Sequence, residues 1–147
     1  MRVFMVTAMF MVFMVFSGSV LAEGDYPQIY LKPDQIVKDM GKIGGTGLGT
    51  GHFEYAFTRD KAQPGHAIKE IAWLTLPVGA TVGLHQHVTN EDAYIVISGQ
   101  GVFVDTAGKE TPVQSGDITI ARKGESHGIK NTGDVPLVFC YLIAQQQ

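Results

Sequence analysis

From His52 to Ile143 the chain is a succession of short runs rich in Ile, Val, Tyr and Phe, each broken within a few residues by Gly, Pro, Asp or Asn. The runs are His52–Thr58, Ile68–Leu76, Thr81–His87, Asp92–Ser98, Gly101–Asp105, Ile118–Ala121, Ser126–Lys130 and Leu137–Ile143. None carries the 3.6-residue apolar period that would make it an amphipathic helix. Short strands at such spacing fold into an all-β sandwich or barrel. Leu137–Ile143 is apolar at both alternating sets of positions, so that strand is expected to pack on two sides, one of them against another subunit.

The segments before His52 read differently. Residues 1–22 have the layout of a secretory signal peptide: Arg2 as the positive start, an apolar stretch from Val3 to Phe16, then small residues leading to Ala22. An uncleaved membrane anchor is the alternative, because the apolar stretch approaches the minimum length of a span. Charge and proline first appear after Ala22, which favours cleavage there and export to the periplasm or medium. Residues 23–51 form an N-terminal extension. Within it Pro33–Met40 predicts one short helix, with Pro in the first turn and Gly41 as the stop. Gly41–Gly51 holds six glycines but fits no phosphate-loop or dinucleotide pattern and precedes no helix, so it reads as a mobile loop. Residues 52–147 are the expected barrel.

Removing 22 of the 147 residues leaves 125, a typical single-domain size. Losing Arg2 takes the 11 basic residues to 10, against 14 acidic ones. With no basic block, nucleic acid and anionic membrane surfaces are not the expected partners. Cys140 is the only cysteine, so no internal disulfide can form, and its apolar neighbours predict a buried, inert thiol.

Three of the five histidines form a pattern. His85 and His87 stand two residues apart on a strand-like run, so their rings leave the same face. Two adjacent imidazoles repel when protonated, and a shared metal ion satisfies both. A carboxylate follows in Asn90-Glu91-Asp92, at the head of the next strand, and His127 stands alone much later. A closed barrel can bring all of them together. His52 and His66 have no matching role, although His66 could reach the barrel mouth.

Residues 79 to 131 resemble both motifs of the cupin superfamily. The first, G-x5-H-x-H-x(3,4)-E-x6-G, runs from Gly79 through His85 and His87 to Gly99; the second, G-x5-P-x-G-x2-H-x3-N, runs from Gly116 through Gly124 and His127 to Asn131. The resemblance implies a double-stranded β-helix, or jelly-roll barrel, with one divalent metal ion on His85, His87, His127 and a carboxylate. Counting back from Gly99 puts the carboxylate at Asp92; the shorter spacing after His87, and the longer side chain, favour Glu91. Arg122 stands where the family has proline, altering a turn without touching a ligand. The resemblance also implies a homodimer, the usual state of cupins of this size.

Three imidazoles and one carboxylate leave open positions on an octahedral ion, as catalysis or chelation of a substrate requires. Mixed N/O ligation favours Fe or Mn, and Ni, Cu and Zn also accept it. If Asp92 is the ligand, Tyr94 and Val96 share its face. Tyr94 is then the candidate catalytic base, by resemblance to metal-dependent cupin lyases that use a tyrosine two residues after the carboxylate; its alternative role is wall packing. If Glu91 is the ligand, Tyr94 points out. Gln86, Glu70, Trp73 and Arg122 are further candidate substrate contacts. The implied functions are an exported metalloenzyme acting on an oxygen-bearing small molecule (an oxygenase, isomerase, lyase or decarboxylase), a non-catalytic cupin binding a carboxylate or sugar, or a storage-like structural protein. Metal occupancy is expected to fall below about pH 6.5, where free imidazole protonates.

Overall fold

The computed structural model describes residues 28–145; the signal-peptide and cleavage-site readings lie outside the described residues. Among the described residues ten strands follow one another: β1 Ile36–Gly41, β2 Thr50–Phe57, β3 Ile68–Leu76, β4 Thr81–Gln86, β5 Glu91–Ser98, β6 Gln100–Val104, β7 Glu110–Gln114, β8 Ile118–Ala121, β9 Ser126–Asn131 and β10 Leu137–Ala144. They form two antiparallel sheets, one of six strands in the order β1-β2-β3-β10-β5-β8 and one of four in the order β4-β9-β6-β7. This is the expected all-β jelly roll, with the core between the inner faces of the two sheets.

The helix expected over Pro33–Met40 is not there. A single 3-10 turn, Lys32–Asp34, carries the proline, and Ile36–Gly41 is then extended as β1. An isolated helix of eight residues is marginal in water. Pairing with β2, from Ile36 opposite Tyr55 to Gly41 opposite Thr50, supplies backbone partners that a lone helix could not exceed, and the β-branched Ile36 and Val37 suit it. Sequence reading also passed over β7, whose Glu-Thr-Pro-Val-Gln has no apolar alternation. Its proline is tolerated because β7 is an edge strand, bonded only to β6.

The strand alternation separates two environments. On β10, Leu137, Phe139, Tyr141 and Ile143 point into the core beside Leu74, Leu76 and Val96. The other face of the same sheet carries two cross-strand rows, Trp73–Cys140–Ile95–Ile118 and Ile71–Leu142–Ala93–Ile120. In these rows Trp73, Ile95, Ile118 and Ile120 are exposed. Cys140 is half-buried among them, and burial raises its thiol pKa, in keeping with an unreactive residue.

Gly41–Gly51 is fastened along β4. Ile43 carbonyl accepts from the Gly83 and Gly47 amides at 2.9 and 3.0 Å; Thr81 N–H donates to Leu48 carbonyl, and Thr81 Oγ1 accepts from Leu48 N–H. The glycines permit this approach. A Cβ at Gly44 would stand 2.5 Å from Gly83 carbonyl oxygen and 2.7 Å from His85 Nδ1, so the composition read as mobility is instead a strap laid against the metal-site strand.

Candidate metal centre

Two sheets supply the site. His85 on β4 lies directly opposite His127 on β9, and His87 follows the end of β4, its backbone bonded to Glu125 and Gly124. Asp92 comes from β5 in the facing sheet, where Asp92, Tyr94 and Val96 are buried on one face. One ligand atom from each of His85, His87, Asp92 and His127 lies within 4.8 Å of the others. Glu91 takes the opposite face of β5, half exposed, with Arg122 Nη1 3.7 Å from its carboxylate. The structure therefore brings together the three histidines and Asp92, and leaves Glu91 outside.

Hydrogen bonding on the far side of two rings fixes their tautomers. His85 Nδ1–H donates to Gly83 carbonyl at 2.8 Å, and His87 Nδ1–H donates to Asn90 Oδ1 at 2.7 Å. Each neutral ring then presents a bare lone pair at Nε2. Those two atoms are 3.1 Å apart, and His87 Nε2 is 3.0 Å from His127 Nε2. Two bare lone pairs cannot hydrogen-bond to each other; a cation between them resolves the contact. Ligands about 2.1 Å from an ion and at right angles to one another stand about 3.0 Å apart, so the spacing suits neighbouring positions on an octahedral ion. Asp92 Oδ2 is 3.5 Å from His127 Nε2 and 3.7 Å from His87 Nε2, while Oδ1 is buried without a partner. An unpaired buried carboxylate is costly unless a cation compensates it.

Electrostatics point the same way. Burial holds His87 below its usual value, and burial, with His85 close by, takes His127 down to about 3. Both rings are therefore neutral and ready to coordinate across the physiological range. Burial raises Asp92 to about 7. The proton that competes with a metal near neutrality thus sits on Asp92, which shifts the expected pH dependence from the imidazoles to the carboxylate.

Tyr94 is packed into the wall, its ring stacked on His127 at 4.5 Å and tilted on Phe139 at 4.7 Å. Burial and the Asp92 charge push its phenol well above the ordinary value. A cavity of about 300 Å3 opens beside His85, Asp92 and Tyr94, walled by the strap residues Lys42, Ile43 and Gly44 and by Tyr55, Glu70 and Tyr141. Glu70, a sequence candidate, does line it. Trp73 is on the outer sheet face, and Gln86 is exposed and donates to Gly124 carbonyl. His52 bonds Asp39 at the surface, and His66 is outside the metal group. At the position of the family's proline, Arg122 uses its backbone N–H to donate to Glu125 Oε2 at 2.8 Å, a bond proline could not make. Asn131, the last residue of the second motif, donates to Leu76 and Val135 carbonyls and ties the barrel base.

The same architecture recurs in known proteins. A family described as Cupin domain matches residues 72–143. An oxalate-binding protein of Thermotoga maritima is 38% identical over 95 residues, which are 65% of this chain and 78% of that protein. A crystal structure of a predicted oxalate decarboxylase from Thermotoga maritima superposes with a TM-score of 0.71 at 29% identity, covering 80% of this chain and 99% of that one. A double-stranded β-helix protein of Klebsiella pneumoniae is similar at a TM-score of 0.50 and 26% identity, covering 60% of this chain and 88% of its own. With its two-sheet barrel, its paired motifs and this likeness over most of a relative's length, the chain belongs to the cupin family.

Proposed function

We propose that His85, His87, Asp92 and His127 hold one divalent metal ion, Fe or Mn by ligand type, and that the protein binds a small carboxylate such as oxalate there. The observation that carries this reading is the 3.1 Å approach of the bare His85 and His87 lone pairs beside an unpartnered buried carboxylate. Oxalate is supported by the name of the 38% identical relative. The bound metal would supply Lewis acidity and a charge for the anion to chelate. The chain's own part is to present neutral Nε2 atoms, hold them by Gly83 and Asn90, and wall the ligand with Tyr94. Decarboxylation is a second reading, supported by the likeness to the structure described as a predicted oxalate decarboxylase.

Calorimetric titration of chelator-stripped and Mn(II)-reloaded protein should give oxalate binding only in the reloaded form. Equal binding in both forms would reject the metal-dependent reading. Formate and carbon dioxide released from the bound oxalate would favour the decarboxylase.

Export by cleavage after Ala22 belongs to the same proposal, as does a homodimer formed through the outer face of the six-stranded sheet. The two apolar rows there bear no charge, so the face is complementary to a second copy of itself, as a twofold contact requires. The protein should sediment as a dimer and Ile118→Glu as a monomer; a monomeric wild type would refute the pairing.

A further inference from the structure

The metal group explains only one end of the cavity. In the same sheet, Ile143 pairs with Asp92 on one side and with Glu70 on the other; there Tyr141 O–H donates to Glu70 Oε1 at 2.6 Å, and the Arg59 backbone N–H donates to Glu70 Oε2 at 3.2 Å. Tyr55 lies beside Tyr141, with ring centroids 6.4 Å apart and edge to face. Tyr55 and Tyr141 are both buried. A wall built only for packing would be served by phenylalanine, as at Phe53 and Phe139 on the same strands. Hydroxyl and carboxylate groups on a cavity wall serve instead to orient what fills it.

The cavity is also larger than oxalate needs. About 300 Å3 is within the range of small-molecule pockets and exceeds what the six heavy atoms of oxalate fill. Lys42 lines the cavity from the strap, but Glu70 makes the wall on the β3 side an acceptor. Its carboxyl oxygens offer lone pairs beyond those used by Tyr141 and Arg59. A second carboxylate on the ligand would be repelled there, whereas a hydroxyl would be held.

Resting on the metal-centre reading, we propose that Glu70, Tyr141 and Tyr55 form a second subsite that binds a hydroxyl group, so that the preferred ligands are small hydroxylated carboxylic acids with the carboxylate at the metal end. The chain's wall then selects by hydrogen bonding, and oxalate occupies only the metal end.

Lactate and glycerate separate the two ends, because both carry the same 2-hydroxycarboxylate and differ only in glycerate's terminal hydroxyl. With Mn(II)-loaded wild type, glycerate should bind about tenfold or more tightly than lactate, the usual gain from one hydrogen bond to a charged group. Glu70→Gln should shrink that ratio severalfold, and Glu70→Leu should bring it near one. A wild-type ratio near one, with oxalate and lactate both bound, would overturn the subsite and leave the metal-centre reading intact. A ratio that responds to Lys42→Met and not to Glu70→Gln would also overturn it. Failure of metal-loaded protein to bind any of the three acids would instead reject the underlying carboxylate reading.

Discussion

Asp92→Asn should make the metal-free protein more stable at pH 8 and the metal-loaded protein less so. Asp92 is buried, and burial raises its carboxyl from 3.8 to about 7. The unfolded chain ionises this group near 3.8, so without a cation the folded state loses stability through it as pH rises from about 4 to about 7. Above pH 7 the loss is complete, on the order of 4 kcal/mol if the whole shift is felt. Asparagine removes that loss and keeps the side-chain shape. Thermal melts in chelator should therefore show the variant several degrees above wild type at pH 8, with the gap closing toward pH 4. His127, lowered to about 3, contributes the opposite slope between about 3 and 6.5, but it is present in both proteins and cancels in the comparison. Adding Mn(II) should reverse the order, because only the wild type offers a carboxylate. Metal binding by wild type should release about one proton at pH 6 and almost none at pH 8, and the variant should release none from this position. A variant less stable than wild type in chelator at pH 8 would contradict the assignment of strain to Asp92.

The second large effect is expected from the strap. Gly44 and Gly45 both have positive φ, at 64° and 81°, so alanine at either position pays about 1 kcal/mol for a left-handed backbone. Only at Gly44 does the added Cβ meet something: Gly83 carbonyl oxygen and His85 Nδ1, the two atoms of the hydrogen bond that sets the His85 tautomer. At Gly45 nothing lies within 4 Å. Gly45→Ala should lose roughly that 1 kcal/mol of stability with metal affinity unchanged. Gly44→Ala should in addition weaken metal binding about 10- to 100-fold, the usual range when a ligand's hydrogen-bond partner is disturbed. Equal metal affinities in the two variants would show that the strap does not position His85.

These two residues illustrate what a sequence conceals. Eight of the ten described strands were legible because each is a local pattern; Ile68–Leu76 and Ile118–Ala121 begin and end where β-branched residues give way to turn formers. The histidines were legible because two of them are local neighbours and the third falls in a spaced motif. Whether Asp92 or Glu91 faces inward depends on strand register, and a shift of one residue exchanges the two faces; only Tyr94 and Val96, buried with Asp92, make the face evident. The glycines of Gly41–Gly51 were visible as composition, but their partners Gly83 and His85 lie some forty residues away. Glu70 and Tyr141 are 71 residues apart and meet only because β3 and β10 are neighbours. β1 was misread because a short apolar segment after a proline satisfies helix rules locally, and β2 overrides them.

The most direct measurement is the metal content of the protein, matured in its own compartment, and of its His85→Ala, His87→Ala and His127→Ala variants. Elemental analysis should find about one divalent ion per chain in the wild type and little in any of the three, with each variant still folded by circular dichroism. Full occupancy in all three variants, or a folded wild type that neither carries nor takes up a divalent ion, would contradict the metal centre.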